Sequence, residues 1–524
     1  MFPQQIHYLF ALCPPSAHDH IENLTELINH KVNRASNARD NIIMIKEFTV
    51  QGTWSFPGHS DDDFCGKLTY TPSSGGLLQI TGLKKHIKKL FRHVMSNKRQ
   101  QETIVGKTLY GYMTLVDSYC HGWPQEITSD EMTVELVFHT RTVLYGDHFH
   151  QKADIKFSRL QIRYTNLDEW ALISGIDLSD AYDSDDDYDC VVRFRFPKTL
   201  EAKIRQFKAV KSFQIYIRPF LQRPENPAVN KKACITQFYQ VIIETSDQVL
   251  LETLEEVLYN FRNFLSLAVR ERVFPTLIQA QSETDPFNKI EVFYQLPHFT
   301  SEVPDIWPFT MLFTLPDISD HFEETLNNWF EKADLLEPVL DLYFGIRHNP
   351  YVYNIHSFLS LVQALETYHM RFAEKYKLSD EASTRLLSDV NKISDQPYDK
   401  EWNRKPKNMT LLRRILEILN YYDDISWAIC YEPPVPFSKK VADDRNYYTH
   451  YDPQRPQLKH KVTRGIELSV VARRLDLILE VCLLSELGFG RDEITKRFRE
   501  KNKPLLDALA MGMFPSSETP FSRL

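Results

Sequence analysis

The sequence predicts an α+β chain of two parts: a β-rich N-terminal domain folded as a sandwich or barrel, then an all-α helical bundle. Three observations carry this. Hydrophobic residues alternate with period two through much of the segment from about Lys46 to Ser246. The period changes to 3.6 from Asp320 onward. Between them lies a stretch punctuated by Pro275, Pro286, Pro297, Pro304, Pro308 and Pro316, a density that forbids long helices and central strands. We place the boundary at its end, giving a β-rich domain over 1–316 and a helical domain over 317–524. At 524 residues the chain is also too long for one core.

Taken in order, Val134, Leu136 and Phe138 are one face of a strand, and Phe213, Ile215 and Ile217 one face of another. Turns are signalled at Pro57-Gly58, at Pro72 to Gly76 and in the acidic run Asp183 to Asp189. The alternating oxygens of that run suit Ca²⁺, but it lacks the glycine and distant glutamate of an EF-hand, so we read it as a solvated loop. Inside the β region, Leu83, Ile87, Leu90, Phe91 and Val94 recur at helical spacing. Lys84, Lys85, Lys88, Lys89 and Arg92 fill the other face. This basic helix, near 83–99, either contacts phosphates or is simply solvated. A second helix is expected over 249–270. In the helical half, Phe358 to Phe372 and Leu411 to Tyr422 each present an apolar stripe. A long helix from Val462 to Leu487 should end at Gly488 and, being apolar nearly all round, lie centrally.

Hydrophobic residues are 43% and charged residues 25%, the usage of an ordinary globular protein, and the 16 glycines are too few for a low-complexity chain. The net charge of −8 excludes a chain-wide basic footprint, so any nucleic-acid contact must be local. The seven cysteines are scattered and contain no CxxC pair, which suggests neither a disulfide framework nor a zinc ribbon. The N-terminus lacks a basic n-region, and the apolar run Leu475 to Leu487 is broken by Asp476, Glu480 and Glu486. The expectation is a cytoplasmic protein without a membrane span.

The chemistry concentrates in Asp443-Asp444-Arg445-Asn446-Tyr447-Tyr448-Thr449-His450-Tyr451-Asp452. RNA supplies its own nucleophile, the 2′-hydroxyl. A catalyst needs a base for that proton and a cation for the charge gathering on the phosphate. Histidine suits proton transfer near neutrality, and arginine grips two phosphate oxygens without losing charge. No metal or cofactor is required. The products would be a 2′,3′-cyclic phosphate and a 5′-hydroxyl. On a helix, Arg445 and His450 lie about 500° apart, oblique but able to meet at one phosphate. The bare spacing is a weak signal, since Arg141 with His148 and Arg455 with His460 repeat it. Only the middle copy has an amide, Asn446, after its arginine and sits within the helical part. Around it, Lys439, Lys440, Arg455, Lys459, Lys461, Arg464, Arg473 and Arg474 outnumber the nearby acids. We take Lys439, Lys440, Arg455, Lys459 and Lys461 as candidate RNA contacts. Tyr447, Tyr448 and Tyr451 either stack on bases or belong to the core.

An arginine followed by Asn, Asp or His and, a few residues on, by histidine, within a bundle of about 200 residues, resembles a HEPN domain. The wider sequence is similar to the ApeA-like branch. Leu361-Val-Gln-Ala-Leu-Glu-Thr-Tyr368 resembles its first conserved helix, and Arg445 to Asp452 its motif. Gly52-Thr-Trp54, Pro57, Gly66-Lys-Leu-Thr-Tyr70, Gly76, Gly82, Gly106 and Gly111 resemble the ApeA N-terminal β domain. The resemblance implies a metal-independent endoribonuclease acting as a homodimer or higher homo-oligomer, with two motifs facing one cleft. It also implies a role in bacterial anti-phage defence of the abortive-infection type, with a phage-derived trigger as a candidate partner. Carried over, Arg445 and His450 are catalytic, Asn446 orients the histidine or the phosphate, and Glu366 helps to hold Arg445. Transfer RNA is a plausible substrate, which the sequence does not select over other RNA. A HEPN scaffold that binds but does not cut is the rival, and such domains typically lose the arginine or histidine kept here. A third reading, resting only on aromatic residues, makes the β domain a carbohydrate-binding sandwich.

Overall fold

The computed structural model describes residues 47–501 apart from 58, 97, 127–132, 183–187, 223–233, 282–288, 298, 300–305, 350–351, 395–396, 403–407 and 452–461. The described residues form two compact units. One runs to His148 and includes Val292–Phe299; the other holds Phe149–Glu291 and the residues from 306 on. Most of the acidic run 183–189 lies outside the described residues.

In the first unit the β signals resolve to a barrel. Its strands are β1 (Phe48–Phe56), β2 (His59–Thr71), β3 (Gly75–Leu83), β4 (Gln100–Thr108), β5 (Gly111–Glu126) and β6 (Thr133–Thr140). The short β7 (Thr142–Tyr145) pairs with β5, and antiparallel pairings run β1-β2-β3-β6-β5-β4 and back to β1, closing a six-stranded ring. Closure leaves these strands no free edge. The alternating set Val134, Leu136 and Phe138 points inward with Trp54, Leu68, Ile80 and Ile104. Two of the glycines are steric necessities. A Cβ on Gly106 would lie 2.3 Å from the Trp54 ring, and one on Gly66 would lie 2.9 Å from it. The indole N–H donates to the Gly66 carbonyl at 3.2 Å. Helix α1 (Lys84–Ser96) buries Ile87, Leu90, Phe91 and Val94 in this core, with Lys85, Lys88, Lys89 and Arg92 exposed, as the amphipathic pattern predicts.

In the second unit, β8 (Lys156–Tyr164), β11 (Leu200–Ile204), β12 (Phe213–Gln222), β13 (Thr236–Leu250) and β14 (Pro275–Gln281) form an antiparallel sheet ordered β11-β12-β13-β8-β14; β9 (Ile176–Tyr182) and β10 (Tyr188–Phe194) form a separate hairpin. Strand β14 lies in the proline-rich stretch, where the sequence pattern suggested no strand. Pro275 stands at its first position, where a missing N–H is tolerated. Helix α2 (Leu251–Val269) covers the sheet, with Phe261 against Tyr164 and Phe264 against Trp170.

The helical bundle builds directly on this layer. Its helices are α3 (Phe322–Glu331), α4 (Ala333–Arg347), α5 (Asn354–Arg371), α6 (Asp380–Ile393), α7 (Leu411–Tyr421), α8 (Asp423–Cys430), α9 (Pro434–His450), α10 (Gly465–Leu487) and α11 (Arg491–Lys501). The Trp329 indole of α3 donates to the Asn260 carbonyl of α2, and Phe330 packs on Phe207 and Phe213. Helix α10 is buried nearly all round in its second half and stops at Gly488, whose φ of 104° suits a C-terminal cap. The three acids from Asp476 onward do not point to solvent, unlike Glu467 in the first turn. Asp476 pairs with Arg347 and Arg473, Glu480 with Arg270 and Arg347, and Glu486 with Lys332 and Lys375. Buried carboxylates need such partners. Among the described residues, no helix is long and apolar enough to cross a membrane.

Candidate active site

The site rests on α9 and α5. Helix α9 opens with proline at its first position, where the absent N–H costs nothing. It buries Phe437, Val441, Asp444 and Tyr448, a stripe at helical spacing. Two polar members fix the chain that returns toward α10. The Asp444 carboxylate accepts the Thr463 N–H at 2.9 Å, and the Tyr448 hydroxyl donates to the Thr463 carbonyl. Burial pushes the Asp444 carboxyl above its ordinary range, opposed by the hydrogen bonds from Thr463. The orientation of α9 about its own axis is thereby set.

That orientation turns Arg445 toward α5. Its guanidinium donates to Glu366 at 3.2 Å and to the Asn446 side-chain oxygen at 3.2 Å. Glu366 also lies 3.8 Å from Arg414, a buried arginine of α7 that donates to the Met409 carbonyl. One carboxylate thus bridges two arginines. Arg445 and Glu366 each keep about a third of their side-chain surface exposed, so the guanidinium is held but remains reachable. His450 is the last residue of α9. It is exposed and makes no hydrogen bond or ion pair with the described residues. Five helical residues separate it from Arg445, about 7.5 Å along the axis and, net of a full turn, about 140° around it.

The other candidates divide. Lys439 pairs with Asp443 at 2.6 Å, and Lys440 shares Glu432 with Arg474. The basic excess around the motif is therefore partly neutralised within the bundle. Tyr448 is buried, Tyr447 half-buried and Tyr451 exposed. Arg455, Lys459 and Lys461 lie outside the described residues, as does the Arg455–His460 copy. The Arg141–His148 copy sits in the first unit, where His148 packs on Tyr112.

Sequence reasoning missed Arg414 and Asp444. Asp444 carried a signal, since it falls on the stripe Phe437, Val441, Tyr448. Arg414 sits among apolar residues of α7, and nothing in its neighbourhood in sequence announces Glu366.

Two family models match the chain. That of the ApeA N-terminal domain 1 matches residues 49–329, more than half of its length, and that of the Apea-like HEPN matches residues 359–493. None of the curated proteins and none of the solved structures compared with the chain matches it.

Proposed function

The chain belongs to the ApeA family with an ApeA-like HEPN domain, and from that premise we propose that it is an endoribonuclease whose site is built on Arg445 and His450. At the family level, membership supports a HEPN nuclease in anti-phage defence. The finer reading is ours. Its carrying observation is a guanidinium fixed by Glu366 and Asn446 yet partly exposed, on the same helix as an exposed histidine without a polar partner among the described residues.

In this reading His450 takes the proton of a 2′-hydroxyl, and the 2′-oxygen attacks the adjacent phosphorus. Arg445 stabilises the charge on the equatorial oxygens. The bond from phosphorus to the 5′-oxygen breaks, and the proton passes to that oxygen. The ends are a 2′,3′-cyclic phosphate and a 5′-hydroxyl. Neither side chain needs a metal for this. Asn446, bonded to Arg445, aligns the guanidinium and is available to the phosphate; Glu366 is a positioning residue.

The wide angle between Arg445 and His450 on α9 favours a cleft completed by a second copy, with each motif supplying part of one phosphate site. We therefore read the working form as a homodimer, residues 317–524 as the nuclease domain, RNA such as a transfer RNA as the substrate, and abortive infection under a phage-derived trigger as the setting. Lys439, Lys440, Arg455, Lys459 and Lys461 would add phosphate contacts around the cleft.

Glu366→Gln tests the assignment. Losing the charge that holds Arg445 should lower RNA cleavage about ten- to a hundredfold, as expected for a misplaced catalytic group, without changing the chemistry of the product ends. Unchanged cleavage would remove Glu366 from the site.

A further inference from the structure

The end of α9 also forms one wall of a cavity of about 480 Å³. Tyr447, Tyr448 and Tyr451 line it from α9, and Tyr353, Asn354 and Arg464 close it from the starts of α5 and α10. The volume suits one small organic group and is far too small for a duplex. Two features set it apart from a packing defect. Its rim carries two large aromatic rings facing solvent, Tyr353 at 78% and Tyr451 at 55% exposure. Its floor is rigid, because the Tyr448 hydroxyl is committed to the Thr463 carbonyl.

The three α9 rings stand with centroids 5.3, 5.5 and 6.1 Å apart and planes inclined by 60–78°. They form the sides of a slot rather than a closed stack, and a flat aromatic guest can lie against one ring and edge-on to another. The Asn354 amide offers both a donor and an acceptor to the edge of such a guest. Arg464 and the first-turn N–H groups at Asn354 and Gly465 make the same wall electropositive. Flat, apolar on its faces, polar at its edge and joined to an anion describes a nucleobase with its phosphate. The cavity also continues the motif: Tyr451 follows His450 directly, and Tyr447 precedes Tyr451 by one helical turn.

We propose that this cavity binds one unstacked nucleotide of the substrate RNA next to the scissile phosphate, with its base against Tyr451 and Tyr353 and its phosphate toward Arg464. This rests on the ribonuclease reading above and adds to it a subsite that selects single-stranded over paired RNA, because a paired base cannot enter. A free nucleotide shares the chemistry, and the test separates the two.

The probe is a single-stranded 2′-O-methyl oligonucleotide carrying one 2-aminopurine. It lacks the attacking hydroxyl and so cannot be cut, and its fluorescence falls when the base stacks. The full-length protein is used, alongside cleavage of unmodified RNA. Wild type should quench the probe, whereas Tyr451→Ala and Tyr353→Ala should bind it about tenfold more weakly or worse, the usual cost of losing a stacked ring. Tyr451→Phe should restore quenching, and Arg445→Ala should quench while failing to cut. If wild type cuts RNA but both alanine variants bind and quench as it does, the subsite is wrong and the nuclease reading stands. If wild type neither cuts RNA nor binds the probe, the nuclease reading fails and the subsite with it. If the protein quenches a free 2-aminopurine nucleotide, and AMP relieves that quenching while the oligonucleotide does not, the site takes a free nucleotide, and the proposal is overturned.

Discussion

Replacing Glu480 by glutamine should destabilise the second unit by several kcal/mol. Glu480 is fully buried in α10. Its two oxygens accept from Arg270 at 3.0 and 2.6 Å, from Arg347 at 2.7 Å and from the Tyr343 hydroxyl at 3.2 Å. Glutamine preserves the length of the side chain but turns one acceptor into an NH₂ donor facing guanidinium donors. Arg347 would keep Asp476, 2.7 Å away, and Arg270 would keep the Thr310 carbonyl at 3.2 Å. The loss is thus one carboxylate under two guanidiniums, a buried pair broken from one side, which costs about 3–5 kcal/mol. Against a total stability of about 5–15 kcal/mol this is a large share. The assay is urea denaturation of the full chain followed by tryptophan fluorescence and far-ultraviolet circular dichroism, with transitions fitted separately for the two units. Arg270→Met combined with Glu480→Leu removes both charges and should recover part of the loss, since an apolar pair of similar volume is tolerated where half an ion pair is not. The pH dependence has a definite sign. Burial raises the Glu480 carboxyl, but Arg270, Arg347 and Arg473 outweigh it, and the net effect lowers it. The stabilisation is therefore present above the unfolded carboxylate range near ~4.3 and lost as pH falls below it. That acid-side loss should be shallower in Glu480→Gln. A decrease below about 1 kcal/mol, the scale of an exposed ion pair, would refute the argument.

Three further outcomes follow from the same structure. Gly106→Ala places a methyl 2.3 Å from the Trp54 ring and should cost the barrel about 1–3 kcal/mol as overpacking, read from its melting transition; an unchanged transition would mean that Trp54 relocates freely. Burial and the neighbouring Arg272, Arg262 and Arg347 push the His348 imidazole down to about 3. It stays neutral in the folded chain while the unfolded chain takes up a proton below pH ~6.5, so stability should fall as pH drops from ~6.5 toward 3. His348→Gln should flatten that limb, and an identical pH profile would contradict the assignment. Residues 317–524 expressed alone lose the partners of Trp329, Phe330 and Glu480 on α2 and the sheet and should aggregate, whereas residues 149–524 should remain soluble and melt cooperatively. A well-folded 317–524 fragment would show that those contacts are dispensable.

Much of this was legible in the sequence, for physical reasons that also mark the limits. Helices α5, α7 and α10 announce themselves because an apolar face repeats every 3.6 residues and Gly488 supplies the stop. Strand identity was equally visible in the alternation around Leu136 and Ile215. Barrel closure was not, because it depends on pairings such as Trp54 with Gly106 and Leu78 with Phe138, which local pattern cannot specify. Strand β14 was hidden by Pro275, whose position at the strand start, rather than its presence, decides the matter. Asp476, Glu480 and Glu486 read as interruptions of an apolar run, since all their cations but Arg473 come from α4, from the end of α2 and from around α3 and α5. At the site, the Arg445–His450 spacing was visible. The Glu366 contact entered only through family resemblance, because an acid on a helix carries no local sign of its partner.

The most direct test is RNA cleavage by purified wild type beside Arg445→Ala and His450→Ala, with EDTA present and the product ends mapped. The account predicts cleavage by wild type alone, leaving 2′,3′-cyclic phosphate and 5′-hydroxyl ends. Equal cleavage by all three proteins, or cleavage abolished by EDTA, would contradict it.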